Sequence, residues 1–179
     1  SAPDIEDKLF INDGSGFFTD ESASRMTLAM RGSSFGTSAV IEDMNGDGVN
    51  DVISVSGSGA TGGLTRSSVA YNNPTNEGFF NVLQTPYNGA PYHVAVGDLN
   101  VDGRPDMILS DDADDRYLLN QGTDTFGRVI WGPPNTFATD DGFGSNNLII
   151  DINGDDFPEA IICDVDVDIP GCSRRLHIY

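Results

Sequence analysis

One nine-residue pattern is written three times in this chain, and it limits the possible folds more than any other feature. Asp43-Met44-Asn45-Gly46-Asp47-Gly48-Val49-Asn50-Asp51 runs directly into the apolar stretch Val52-Ile53-Ser54-Val55. Asp98-Leu99-Asn100-Val101-Asp102-Gly103-Arg104-Pro105-Asp106 runs into Met107-Ile108-Leu109. Asp151-Ile152-Asn153-Gly154-Asp155-Asp156-Phe157-Pro158-Glu159 runs into Ala160-Ile161-Ile162. The spacing is 55 residues from Asp43 to Asp98 and 53 from Asp98 to Asp151. Near-constant spacing of this kind marks a repeat architecture.

Each copy places side-chain oxygens at its first, third, fifth and ninth positions, with a turn-forming residue at the sixth. Alternation aims the first three toward one point, which suits a hard cation that takes six to eight oxygen ligands. The EF-hand loop also begins this way, but it needs a glutamate at position twelve and flanking helices. Here the acid comes at position nine and a β-branched run follows. The competing reading is an Asp/Asn/Gly turn between strands without metal. A turn needs only one or two such residues, and converging carboxylates without a cation repel one another. Ca²⁺, about three ions in all, is therefore expected over Mg²⁺, which keeps a water-rich octahedral shell.

A short apolar segment precedes each loop: Ala39-Val40-Ile41, Val94-Ala95-Val96 and Leu148-Ile149-Ile150. Phe35-Gly36, Ala90-Pro91 and Phe143-Gly144 sit upstream of these at a fixed offset. The run after each loop predicts a second strand. Third strands are expected at Val69-Ala70-Tyr71, Tyr117-Leu118-Leu119 and Leu176-His177-Ile178-Tyr179. Fourth strands are expected at Phe79–Leu83 and Phe126–Ile130. Four short strands per unit of about 50 residues is the pattern of a β-propeller blade. Glycine is abundant, and Met26–Met30 is too short to stand as a helix. The fold class expected is all-β, a propeller of four-stranded antiparallel blades with about three blades present. The divisions are 1–34 (end of a blade), 35–88, 89–141 and 142–179 (incomplete).

Lys8–Phe18 matches a third strand, hairpin and fourth strand, whereas the C-terminal segment stops at a third strand. Propellers close with four to eight blades. The chain is thus expected to be part of a longer propeller or to self-associate with other copies.

Net charge is −19, which disfavours nucleic acid and leaves no basic stripe for an anionic membrane. No run approaches the roughly 18 apolar residues of a membrane helix, so no insertion is expected. No stretch reads as a signal peptide, as in a mature secreted chain or an excised fragment. Cys163 and Cys172 are nine apart around an acidic loop, and a disulfide between them would suit an oxidising compartment. The alternative is two reduced thiols, with Cys163 in a strand.

The strand–loop–strand units with Phe-Gly upstream resemble FG-GAP/VCBS repeats, the blades of integrin alpha-subunit-type propellers and of many secreted bacterial proteins. Gly89-Ala90-Pro91 sits where Phe-Gly stands elsewhere, which is nearer the VCBS branch. The resemblance implies Ca²⁺ ligation by Asp43, Asn45, Asp47, the Val49 carbonyl and Asp51 in the first loop. It implies Asp98, Asn100, Asp102, the Arg104 carbonyl and Asp106 in the second, and Asp151, Asn153, Asp155, the Phe157 carbonyl and Glu159 in the third. Val101, in place of the first loop glycine, is expected to matter little. Asp156, in place of the second, is expected at positive φ, which aspartate tolerates.

The family also implies an extracellular, secreted or cell-surface module for adhesion, recognition or assembly, with a protein or glycan ligand. A structural subunit of an extracellular fibre and part of a secreted carbohydrate-active enzyme are the alternatives. Neither a nucleophile elbow nor a histidine-centred motif is present, so no enzyme is expected. The acidic loops 111–115 and 164–168 could hold a second cation, line a ligand rim or simply be solvated. The glycine-rich segment 57–63 lacks the lysine of a phosphate loop.

Overall fold

A computed structural model describes residues 6–32, 36–56, 66–111, 114–137, 144–164 and 176–179. The chain is all-β and antiparallel. Its first strands, β1 (Phe10–Asn12) and β2 (Phe18–Asp20), form a hairpin. Two single helical turns follow, α1 (Ser22–Arg25) and α2 (Leu28–Arg31). The sequence alone does not predict α2. Its helical turn forms because the Thr27 side chain caps the Met30 amide, while Met30 is buried and anchors the turn.

A four-stranded meander comes next: β3 (Gly36–Glu42), β4 (Asp51–Ser56), β5 (Arg66–Asn72) and β6 (Phe80–Tyr87). The second sheet contains β7 (His93–Gly97), β8 (Asp106–Ser110) and β9 (Arg116–Leu118). Its fourth member is not the expected Phe126–Ile130 segment. β10 (Asn120–Thr123) and β11 (Val129–Trp131) form a separate hairpin, and β12 (Asn135–Thr136) takes the edge beside β9. Gly132-Pro133-Pro134 divides the strand there, because proline has no amide to donate to a ladder. The third sheet orders β13 (Gly144–Ile150), β14 (Glu159–Asp164) and β15 (Leu176–Ile178).

Three hydrophobic clusters alternate with the sheets. Met30, Ala70 and Phe80 fill the layer between the N-terminal turns and the first sheet, with Val52 packed against them. Ile53, Val55, Val69 and Tyr71 meet Val94, Met107, Leu109, Leu118 and Val129 between the first and second sheets. Ile108 meets Ala160 and Ile162 between the second and third. A strand with apolar cover on both faces needs no polar alternation, hence the continuous apolar run after each loop. The strands that precede the loops lie side by side: β3 packs on β7, and β7 on β13. At the second junction Gly97 is required, because a Cβ there would stand 2.8 Å from a methyl of Ile149. No packing of comparable extent joins the two ends of this series among the described residues.

Among the described residues no helix is long and apolar enough to cross a membrane. Cys163 is exposed on β14, while Cys172 and the 165–168 part of the acidic loop lie outside the described residues, as do 57–63, Phe35 and Phe143.

Candidate metal loops and the clamps around them

Each repeated loop joins the first strand of a sheet to the second: β3 to β4, β7 to β8 and β13 to β14. A shared core of hydrogen bonds builds all three. The first aspartate takes the amide five residues on, and the third and fifth side chains each take the amide two residues on. Asp43 Oδ1 accepts from the Gly46 and Asp47 amides and Oδ2 from Gly48, at 2.8–3.1 Å. Asp98 accepts from the Asp102 and Gly103 amides. Asp151 accepts from Asn153, Gly154 and Asp156. At the third position, Asn45, Asn100 and Asn153 each accept from the amide two residues on. So do Asp47, Asp102 and Asp155 at the fifth, receiving the amides of Val49, Arg104 and Phe157. These are nested Asx turns, the local reason that alternating Asp and Asn curl the chain here.

The ninth residue closes the loop. Asp51 accepts from Met44 N at 3.1 Å, Asp106 from Leu99 N at 2.9 Å and Glu159 from Ile152 N at 2.9 Å. In the first two loops the other carboxylate oxygen reaches the end of the third strand. Asp51 takes the Asn72 amide at 2.9 Å and Asp106 the Asn120 amide at 2.7 Å. Glu159 instead turns to the Asn153 side chain within its own loop, at 2.6 Å. Asp51 and Asp106 are fully buried, whereas Glu159 is half-buried.

Position four separates the copies. Gly46 and Gly154 adopt φ of 74° and 79°, and Val101 is held at 57°. The substitution expected to matter little therefore places a β-branched residue in the left-handed region, where its Cβ crowds the following carbonyl. Asp156 has φ 69°, as expected for the residue replacing glycine at position six.

Two asparagines that the sequence reading passed over complete the arrangement. Asn72 Nδ2 donates to the Asn50 carbonyl at 2.9 Å, and Asn120 Nδ2 to the Pro105 carbonyl at 3.1 Å. Both acceptors are position eight of their loop. Each asparagine also starts a hairpin, accepting from the Gly78 or Gly122 amide. The signal was present: an asparagine follows the apolar third strand at Tyr71-Asn72 and Leu119-Asn120, as at Ile11-Asn12. Asn120 further donates to the Met44 carbonyl at 2.9 Å, joining the β10–β11 hairpin to the first loop. Asn45 Nδ2 reaches the Gly127 carbonyl at 2.8 Å across the same gap.

The electrostatics of the loops differ. Burial, aided by the neighbouring Asp47 and Asp43, pushes the Asp51 carboxyl up to about 6 against two stabilising amide bonds. Burial also raises Asp106, beside Asp102 and Asp98. Amide donors, Gly154 first, lower Asp151. In the second loop a cation is already supplied, since the Arg104 guanidinium bonds Asp102 and the Asn120 carbonyl. The donors are oxygen throughout, and buried like charge at Asp51 is what a hard cation relieves, so the residues fit Ca²⁺ in kind. As placed, their carboxylates are occupied by loop amides, and no group of three His, Cys, Asp or Glu side chains gathers for a metal among the described residues.

A search of curated proteins returned no match to the chain. Residues 43–109, which hold the first loop, the first sheet from β4 onward, the second loop and most of β8, match the family model described as FG-GAP-like repeat. That stretch of the chain is thus an FG-GAP-like repeat, and the same loop between paired strands recurs C-terminal to it, between β13 and β14.

Proposed function

We propose that the chain is a calcium-stabilised segment of a β-propeller, with units at 35–88, 89–141 and 142–179. It would serve extracellular recognition, adhesion or surface assembly without catalysing a reaction. The observation that carries the metal part is the recurrence of one bonding pattern in three loops, with a buried carboxyl pushed up to about 6 in the first. A cation there would neutralise the first, fifth and ninth side chains and fix the corner between first and second strands. Binding that favours the folded state adds about 2.7 kcal/mol per site at a hundredfold excess over Kd.

Thermal melts in EDTA, in Ca²⁺ and in Mg²⁺ test this reading. EDTA is expected to lower the melting temperature, Ca²⁺ to restore it and Mg²⁺ to restore it less. A melt unchanged after verified metal removal would refute the structural role of the ion.

A further inference from the structure

Two clefts flank the β5–β6 hairpin. One, of about 440 Å³, opens between this hairpin, the first loop and the tip of the β10–β11 hairpin. The other, of about 320 Å³, opens toward α1. They share Asn73 and Asn81. Ligand pockets run from about 300 to 1,000 Å³. Together the clefts form a surface that touches the first metal loop at Asn45–Asp47 and extends well beyond it.

The lining is rich in amides with spare hydrogen-bonding capacity. Asn73 Oδ1 is taken by Thr75, which leaves its Nδ2 donors unused. The side chains of Asn76, Asn81 and Thr123 have no hydrogen-bond partner among the described residues and are exposed. Each cleft also carries a phenylalanine with an arginine on one ring face: Phe79 under Arg25 and Phe126 under Arg128, at 4.8 and 5.3 Å. Phe126 is 77 % exposed, so its other face is open. Both arginines are ion-paired, to Glu21 at 2.6 Å and to Asp124 at 2.7 Å, and Asp47 lies in the larger cleft. The surface therefore offers neutral donors and acceptors and an aromatic face, without a free cation for an anionic ligand.

We propose that these paired clefts bind a neutral saccharide, with hydroxyls bonded to the Asn73, Asn81 and Thr123 side chains and one sugar face against Phe126. Hydroxyl-rich, uncharged ligands match unpaired amides, and the apolar face of a pyranose matches an open ring. A peptide is less well served, because most of the larger cleft's lining is Asn, Asp, Thr and Gly, with only Tyr71, Pro74, Val82 and Phe126 to seat apolar side chains. The proposal gives the recognition role above its ligand class and place, and it rests on that reading. It does not depend on which metal the loops hold.

Saturation-transfer NMR on the folded protein, with N-acetylglucosamine, galactose, mannose and cellobiose as probes, tests it. Transfer to ring protons of at least one sugar is expected. Phe126→Ala and Asn81→Ala, both at exposed positions, are each expected to weaken that sugar about tenfold, equivalent to about 1.4 kcal/mol, at unchanged melting temperature. Absence of transfer to all four sugars overturns the proposal, as does binding that persists in both variants. Binding of short peptides to the cleft without any sugar overturns it in favour of a peptide site. The EDTA melt reports separately on the metal reading, so the two can fail independently.

Discussion

The side-chain amide of Asn120 donates to the backbone carbonyl of Met44 across 76 residues of sequence, at 2.9 Å. Asn120 starts the β10–β11 hairpin, and Met44 is the second residue of the first loop. Asn120 is also bound by its own loop twice, through the Asp106 carboxylate and the Pro105 carbonyl. One buried side chain therefore ties two repeats together. Asn120→Ala leaves the Met44 carbonyl and the Gly122 amide without this partner, and removing one member of a buried pair costs about 1–3 kcal/mol. The expected loss is about 2–3 kcal/mol, read by urea denaturation. A loss below about 0.5 kcal/mol, the range of an ordinary surface substitution, would show that the clamp contributes nothing.

The ninth loop position provides a graded test. Asp51 and Asp106 are buried and each joins its loop to a third strand, whereas the bonds of Glu159 stay within its own loop. In the presence of EDTA, Asp51→Ala and Asp106→Ala are each expected to cost about 2–4 kcal/mol through orphaned buried amides. Glu159→Ala is expected to cost about 1 kcal/mol or less. Equal losses in all three variants would show that the strand-end bond is immaterial.

The sequence discloses these loops because their chemistry is local. Asx turns depend on residues two to five positions apart, so Asp43, Asp98 and Asp151 can be read directly as equivalent corners. The apolar runs after the loops likewise announce strands buried on both faces. The clamps were harder to see. Asn72 and Asn120 act through carbonyls 22 and 15 residues away, and Asn120 through Met44 as well. No periodicity encodes such a contact, although the recurrence of asparagine after an apolar strand hinted at it. The fourth strand of the second sheet was misplaced for a different reason. The apolar pattern at Phe126–Ile130 belongs to a hairpin that buries Val129 against the first sheet, and the proline pair displaces the edge strand to Asn135. Tertiary burial outweighed local pattern there.

Positive φ at two side-chain-bearing residues offers room for stabilisation. Val101 is exposed, and the left-handed region costs an ordinary L-residue about 1–2 kcal/mol. Glycine relieves this but adds unfolded-state entropy, worth about 0.5–1 kcal/mol. Val101→Gly is expected to gain about 0.5–1 kcal/mol, and Asp156→Gly less, since aspartate tolerates αL. Chemical denaturation of both variants under the same metal conditions checks the order. Destabilisation by Val101→Gly would mean that the valine side chain makes a contact worth more than the strain.

His93 on β7 provides a pH test away from the loops. Burial lowers its pKa below the ordinary 6.5, because the partly enclosed imidazole is harder to charge than one in water. Below pH 6.5 the unfolded chain binds a proton that the fold resists, so the unfolded state holds more protons. The stability contributed by neutral His93 is present above pH 6.5 and is lost as pH falls through the window down to the folded-state pKa. Histidine ring-proton NMR should give His93 a midpoint below 6.5. His93→Gln should remove the corresponding part of the acid sensitivity in denaturation curves between neutral pH and that midpoint. A midpoint at or above 6.5 would mean that the pocket around β7 hydrates the imidazole, and the predicted slope would vanish with it.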